Sequence, residues 1–480
     1  MKLKELLRDV PVTECTADPE QDIGSIAYES RKVQPGGLFV AITGFASDGN
    51  RFIPMAAEKG AVVVVTAKKP EQDIPYVLVG SDRLALALIS ANWFDRPARK
   101  LITVGITGTN GKTSATLLLK HVLEVARGAK VGLIGTMENQ IGEKVIPTER
   151  TTPESYELQS LFSQMVEAGC QYMVMEVSSH AIALDRVGGV EYNVAAFTNL
   201  TEDHLDFHKT MECYGETKAL LFRRCEKGVL NGDDPWSERM AKNATCSILT
   251  TSVKGDAGLC ARDVELLPDR VRFTAVAGEQ KAKVDLPIPG KFSVYNALTV
   301  LGVALELGIS LEETADALAT AKGVKGRVEV VPTPGKPFTV LIDYAHTPDG
   351  LENVLSAVRG FCRGRLISVF GCGGDRDPMK RPIMGRIGVE LSDHAIITSD
   401  NPRTEDPLKI IADIVAGVSG GDYEVIPDRR AAIRRAMDMA KENDIIVLAG
   451  KGHETYQEIM GVKHHLDERE EVAAHLTEMR

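Results

Sequence analysis

The sequence predicts an α/β protein of three domains built on mainly parallel sheets. Short β-branched runs alternate with Gly-rich or polar loops and then with helical stretches. Residues 62–65, 102–106, 173–177, 194–197, 340–342, 366–370, 395–398 and 445–448 read as strands buried on both faces, the pattern of parallel sheets. A chain of 480 residues, at roughly 150 per domain, has room for about three. Two punctuated segments divide it: the DRPARK stretch at 95–100, and the Gly- and Pro-containing stretch at 323–337. The expected domains are 1–98, 99–325 and 326–480.

Composition narrows the function classes. At 44% hydrophobic and 26% charged residues, the chain can fill several cores. A net charge of -11 argues against a general nucleic-acid binder. It leaves anionic small molecules open, because local Arg and Lys bind phosphate whatever the global charge. None of the eight cysteines forms a Cys-x-x-Cys pair, so free thiols in a reducing compartment are expected. The start, MKLKELLRDV, reads as an amphipathic helix with Leu3, Leu6, Leu7 and Val10 on one face, not as a signal peptide. No run approaches about 20 apolar residues, so no membrane span and a cytoplasmic location are expected.

Chemistry-bearing residues recur just after strand ends: 108–113, 176–180, 198–208, 343–346, 371–375, 400–403 and 450–454. Ligands of open α/β sheets bind outside these carboxyl ends, so the loops are expected to face one cleft between domains. The first loop, Gly-Thr-Asn-Gly-Lys-Thr, runs from Gly108 through Thr109, Asn110, Gly111 and Lys112 to Thr113, and Ser114 follows. Its glycines let backbone N–H groups approach phosphate, and the following helix N-terminus favours negative charge. Lys112 would reach the β- and γ-phosphates of ATP, and Thr113 would offer a hydroxyl to Mg2+. The strict Walker pattern is broken, because Ile106 stands where its first glycine belongs. Motors, kinases and ligases share such a loop, so it implies nucleotide binding only.

Glu176 ends the strand YMVMEV, where a second Mg2+ anchor is usual. Asp203, His204, Asp206 and His208 form a dense polar run that on spacing alone also suits a solvated loop. Lys218 sits in a helical stretch, where spacing alone suggests ordinary surface charge.

Taken as a set, these segments resemble the Mur ligase family over essentially the whole chain. The motifs are the 108–113 loop, Glu-Val-Ser-Ser-His at 176–180, and Asn-Leu-Thr-Glu-Asp-His-Leu-Asp-Phe-His at 199–208 with a lysine ten residues on. Tyr-Asn-Ala at 295–297, Gly-Arg-Val-Glu at 326–329 and Asp-Tyr-Ala-His-Thr-Pro at 343–348 complete the set. The resemblance implies a central P-loop sheet, a Rossmann-like C-terminal domain and a smaller N-terminal uridine-binding domain. It implies ATP-dependent amide-bond formation through an acyl phosphate in peptidoglycan precursor synthesis. Glu176 and His204 would bind Mg2+, and Lys218 would be a carbamate derived from CO2. Asn296, Arg327, Asp343 and His346 would contact nucleotide, the last two only on domain closure.

The stretch 28–53, with Ser30 and Arg31, resembles the uridine-binding segment. Thr151, Thr152, Ser178 and Arg186 would contact the UDP-N-acetylmuramoyl dipeptide. Leu184 stands where some relatives carry Gln, so no contact is assigned there. Asp400-Asn401-Pro402-Arg403 matches the signature of members that add meso-diaminopimelate. Arg403 offers a planar fork for the carboxylate that lysine lacks. Arg381, Gly450 and Glu454 would complete that site, Glu454 as an ammonium acceptor. The same reading expects small-molecule partners only, no nucleic acid or membrane, and a monomer. The alternatives are an L-lysine-adding member, a folylpolyglutamate synthetase and a non-catalytic P-loop binder.

Overall fold

A computed structural model describes residues 1–44, 48–148 and 150–479, so part of the 28–53 stretch (45–47) lies outside it. The chain divides into two compact units, residues 1–259 with 299–310 and residues 260–298 with 311–480.

The first unit carries two sheets. Strands β1 (Val12–Cys15), β2 (Ser25–Ala27), β3 (Gly37–Ala41), β4 (Ala61–Thr66) and β5 (Tyr76–Val79) take the order β1-β5-β4-β3-β2. All neighbours are parallel except β1 against β5. Pleat alternation splits the apolar residues between two covers. Leu38, Val40, Val63 and Val65 pack with Ala85, Leu86 and Ile89 of the helix Asp82–Trp93. Phe39, Ala41 and Val64 pack with Ile53 and Ala56. The N-terminal helix is shorter than its periodicity suggests, spanning only Leu3–Leu6, with both leucines buried.

The second sheet of this unit comprises β6 (Ile102–Thr107), β7 (Val131–Ile134), β8 (Asn139–Ile141), β9 (Lys144–Ile146), β10 (Tyr172–Glu176), β11 (Tyr192–Phe197), β12 (Cys225–Asn231) and β13 (Ser247–Ser252). Its order is β9-β8-β7-β10-β6-β11-β12-β13, parallel from β7 to β13. Strands β8 and β9 add an antiparallel edge. The register at the centre sets the site. Glu176 lies opposite Ile106, and Phe197 opposite Thr107. The loops that follow β6, β10 and β11 therefore leave the sheet at one level.

In the second unit an antiparallel meander runs through β14 (Leu259–Leu266), β15 (Val271–Ala277) and β16 (Gln280–Leu286). A six-stranded sheet follows: β17 (Glu329–Val331), β18 (Thr339–Asp343), β19 (Leu366–Phe370), β20 (His394–Ile397), β21 (Tyr423–Val425) and β22 (Ile445–Ala449), in the order β17-β18-β22-β19-β20-β21. Only β17 is antiparallel to its neighbour. Leu341, Phe370, Ile397 and Val447 feed one core, and Val340, Ile342, Val369 and Leu448 the other. Both faces are covered, which explains the uninterrupted apolar runs. A hairpin, β23 (Tyr456–Ile459) and β24 (Val462–His465), completes the unit. The fold is the α/β class expected, with mainly parallel sheets.

Candidate active site

The phosphate loop begins later than the Walker spacing would place it. Ile106 is buried within β6, so the chain first turns at Gly108, at φ +149°. A Cβ there would lie 1.9 Å from Thr198 Oγ1, so the close approach itself demands glycine. Gly111, at φ +86°, precedes the helix Lys112–Arg127, which presents the N–H groups of its first turn. The loop is braced from β11: Thr109 N donates to Asn199 O (2.8 Å), and Asn110 N to Asn199 Oδ1 (2.9 Å). Ser114 is half-buried in the first helical turn.

Two lysines converge on this loop. Lys112 Nζ donates to Gly108 O and Thr109 O, both at 2.9 Å, and Lys218 Nζ donates to the same Gly108 O at 2.9 Å. Burial lowers the pKa of Lys112. Burial and the neighbouring Lys112 charge push Lys218 well below its ordinary range. The structure thus places Lys218 in the site, 1% exposed, although helical spacing alone suggests a surface lysine. Tyr214 lies under it, the ring centroid 4.6 Å from Nζ and the hydroxyl 3.2 Å from Thr109 Oγ1.

Glu176 is 1% exposed. Its Oε1 accepts from Thr113 Oγ1 and from Thr136 N, both at 2.9 Å, and its Oε2 accepts from Thr136 Oγ1 at 2.9 Å. The adjacent Thr113 hydroxyl and Glu176 carboxylate are hard oxygen donors, the kind Mg2+ takes, so this pair fits such an ion. His204 opens the short helix Leu205–His208 at φ +54°. Its ring packs edgewise on His180 (4.8 Å) and Tyr214 (6.1 Å), so Tyr214 links it to Lys218. Among the described residues, no three His, Cys, Asp or Glu side chains are grouped to hold a metal by themselves. His208 is buried, with Nε2 2.8 Å from Ser179 Oγ, and burial lowers its pKa to about 4, leaving it neutral.

Around the rim, Thr151 Oγ1 lies 3.0 Å from Thr136 Oγ1, and Thr152 Oγ1 donates to Glu176 O (2.9 Å). Ser178 caps the helix Ser179–Ala183, accepting from Ala181 N. Arg186 Nη1 donates to Thr152 O (3.3 Å), while its Nε pairs with Glu154 (2.7 Å). Ser30 is buried and donates to Met55 Sδ (3.3 Å), with Arg31 exposed beside it.

In the second unit a cleft of about 200 Å³ brings together Asp400, Asn401, Arg403, Gly450, Glu454 and His346. Tyr344, Thr347 and Gly373, from the segments 343–348 and 371–375, also line it, as do Arg376 and Lys380, which no motif marks. The cleft has a basic side (Arg403, Arg376, Lys380) and acidic groups (Asp400, Glu454). Asp400 is 6% exposed, and its Oδ2 has no hydrogen-bond partner among the described residues. Arg403, at φ +51°, is clipped by the hairpin: its N donates to Glu458 O (3.0 Å) and its O accepts from Met460 N (2.6 Å). Its Nη1 donates to Gly374 O (2.8 Å). Pro402 O lies against Gly374, at 2.0 Å from where a Cβ would stand. Arg381, by contrast, does not line the cleft: it is buried against Glu405 and Asp413, bonded at 2.9 Å to each. Its place is structural, beneath the loop 400–405.

Lys451, in the 450–454 loop, is fully buried. Its Nζ donates to Asn401 Oδ1 (3.0 Å) and lies 3.2 Å from Glu454 Oε2, and Asn401 Nδ2 donates to that same oxygen (2.8 Å). The three groups orient one another. Lys451→Met should destabilise the fold by roughly 3 kcal/mol, the low end for a broken buried pair. Denaturant unfolding followed by fluorescence checks this; an unchanged midpoint would show that the pair contributes nothing.

The expected nucleotide contacts in this unit are separately anchored. Asp343 Oδ2 accepts from Val328 N (2.8 Å), and burial raises its pKa. The Arg327 guanidinium lies 5.8 Å from the Tyr344 ring centroid, His346 Nδ1 lies 2.8 Å from Tyr344 O, and Asn296 is buried on the helix Lys291–Glu306.

A P-loop with a strand-end carboxylate and a buried lysine pair is the equipment of a phosphate-activating enzyme, and comparison gives the family. Residues 22–90 match the Mur ligase family catalytic domain, 106–304 the Mur ligase middle domain, and 326–452 the Mur ligase glutamate ligase domain. The chain belongs to the Mur ligase family. It is 49% identical to UDP-N-acetylmuramoyl-L-alanyl-D-glutamate--2,6-diaminopimelate ligase 1 of Clostridium acetobutylicum, with 100% of each chain covered. It is 48% identical to the corresponding ligase of Clostridium tetani, again over 100% of each. A solved structure of a ligase of that name superposes with a TM-score of 0.79 at 31% identity, covering 100% of this chain and 99% of the other. No helix among the described residues is long and apolar enough to cross a membrane.

Proposed function

We infer that this chain is an ATP-dependent ligase joining meso-diaminopimelate to UDP-N-acetylmuramoyl-L-alanyl-D-glutamate during peptidoglycan precursor synthesis. The observation that carries the choice of amino acid is the C-terminal cleft, where Arg403 faces a zwitterion-sized space with Asp400 and Glu454. A ligand bearing both carboxylate and ammonium at its far end complements both sides of that cleft. Lysine would leave the Arg403 side unmatched, a costly vacancy in a polar site.

The reaction follows from the charges. The dipeptide carboxylate attacks the γ-phosphorus of ATP, and ADP leaves with the electrons of the broken P–O bond. The diaminopimelate amine then attacks the acyl carbon, loses a proton, and phosphate departs. Lys112 has three N–H donors and uses two on loop carbonyls, leaving one for a phosphate oxygen. The 108–114 loop and helix start hold the remaining phosphate charge. Mg2+ would be held by Thr113, Glu176, His204 and carbamylated Lys218, and when bound it neutralises charge on the transferring phosphoryl group. Asn296, Arg327, Asp343 and His346 are assigned to nucleotide, and Ser30, Thr151, Thr152, Ser178 and Arg186 to the UDP-sugar dipeptide. Domains at 1–98, 99–325 and 326–480 accord with this division of roles.

The test is phosphate release from ATP with the dipeptide present and either meso-diaminopimelate or L-lysine added. Release with diaminopimelate alone is expected. Release with lysine instead keeps the ligase and overturns the reading of residues 400–403; release with neither overturns both.

A further inference from the structure

One pair of nucleophiles lies outside all the loops above. Cys225 is the first residue of β12, and Cys246 immediately precedes β13. These strands are parallel, with Lys227 opposite Ser247, so the two cysteines enter the sheet side by side. The bend at Cys246 brings its thiol to the same side: Cys225 Sγ donates to Cys246 Sγ at 3.4 Å. Both are free and partly exposed. A Cβ at Gly228 would meet Ile248 Cδ1 at 2.5 Å, then Phe222 Cδ1 at 3.0 Å and Cys246 Sγ at 3.3 Å, so glycine lets these side chains pack closely beside the pair.

We propose that Cys225 and Cys246 are a reversible dithiol site that small thiol-derived disulfides oxidise to an intramolecular disulfide. Burial and the neighbouring Cys246 raise the pKa of Cys225, which makes Cys225 the poorer first nucleophile and leaves the first attack to Cys246. The Cys246 thiolate attacks the external disulfide, forming a mixed disulfide and releasing one small thiolate. Cys225 gives up its proton and attacks the Cys246 sulfur, releasing the second small thiol. Two protein thiols are oxidised, and one disulfide is reduced to two thiols.

The site is remote from the chemistry. The P-loop follows the carboxyl end of β6, whereas Cys225 opens β12 at the opposite edge, and β12 has 7 residues, about 20 Å at ~3.3 Å each. Turnover should therefore stay within about twofold on oxidation.

The full-length protein is treated with oxidised glutathione, alkylated, digested and mapped by mass spectrometry. A linked pair of peptides containing Cys225 and Cys246, reversed by dithiothreitol, is expected. Cys246→Ser should abolish the link, and exposed Cys15 and Cys213 should take glutathione as mixed disulfides in both proteins. ATP-dependent phosphate release by Cys246→Ser establishes that it folds. Alkylation of both Cys225 and Cys246 under conditions that glutathionylate Cys15 would overturn the proposal. So would stable glutathione on both.

Discussion

Lys218→Ala should lower the ligase rate by roughly 10²- to 10³-fold, the scale of removing one preorganised electrostatic group. For an amine 1% exposed and sharing one carbonyl with Lys112, burial and the Lys112 charge disfavour the ammonium and shift the balance toward the neutral form. A neutral amine has the lone pair that CO2 requires. Carbamylation joins that nitrogen to CO2 and releases one proton, turning a would-be cation into an anion with two acceptor oxygens. Because a proton is released, higher pH and higher bicarbonate favour the carbamate. Such a group suits a site that must hold Mg2+, where an ammonium would repel it. Substitution by alanine leaves a buried cavity beside Tyr214, which a small carboxylic acid can enter. Partial rescue by such an acid is expected, as is a 13C carbamate signal from the wild-type protein in labelled bicarbonate. Full activity of the unrescued variant, or no labelled signal, would rule the carbamate out.

Why Lys218 could not be recognised from spacing illustrates what the sequence holds and what it does not. The eight apolar runs at 62–65, 102–106, 173–177, 194–197, 340–342, 366–370, 395–398 and 445–448 all lie in or largely within strands. They were legible because both faces of those sheets are covered, so burial leaves an unbroken apolar signature. Edge elements were not. Strands β8 and β9, the β14–β16 meander and the β23–β24 hairpin alternate in exposure or are largely exposed, and their residues look like loop. The same limit applies to the site. Gly108, Lys112 and Glu176 announce themselves by position at strand ends. Thr136, Asn199 and Tyr214 are ordinary polar residues whose contacts depend on strand order, which one chain's pattern does not encode. The family motifs supplied Lys218, yet they could not separate Arg381, held beneath its loop, from Arg403, which lines the cleft.

That separation sets the other large effect expected. Arg403→Ala should raise KM for meso-diaminopimelate by roughly 100-fold while leaving KM for ATP within about twofold. The hairpin holds the Arg403 backbone through Glu458 and Met460, and this clip involves no side-chain atom of Arg403. Removing the side chain therefore keeps the loop and deletes the fork. Nη1 is engaged by Gly374 O and Nε lies 3.6 Å from Glu458, whereas Nη2 makes no hydrogen bond to the described residues. A charge-assisted bond is worth about 1.5–3 kcal/mol, and each 1.4 kcal/mol is tenfold, so one strong or two modest bonds account for the loss. Discrimination should collapse with affinity. Lysine has no distal carboxylate to lose, so its poor turnover should change little, and the ratio between the two amines should shrink by the same factor. Steady-state kinetics with both amines at saturating ATP and dipeptide measure that ratio. Equal losses toward ATP and diaminopimelate would instead make Arg403 a support for the loop, with its bond to Gly374 as the contact that matters.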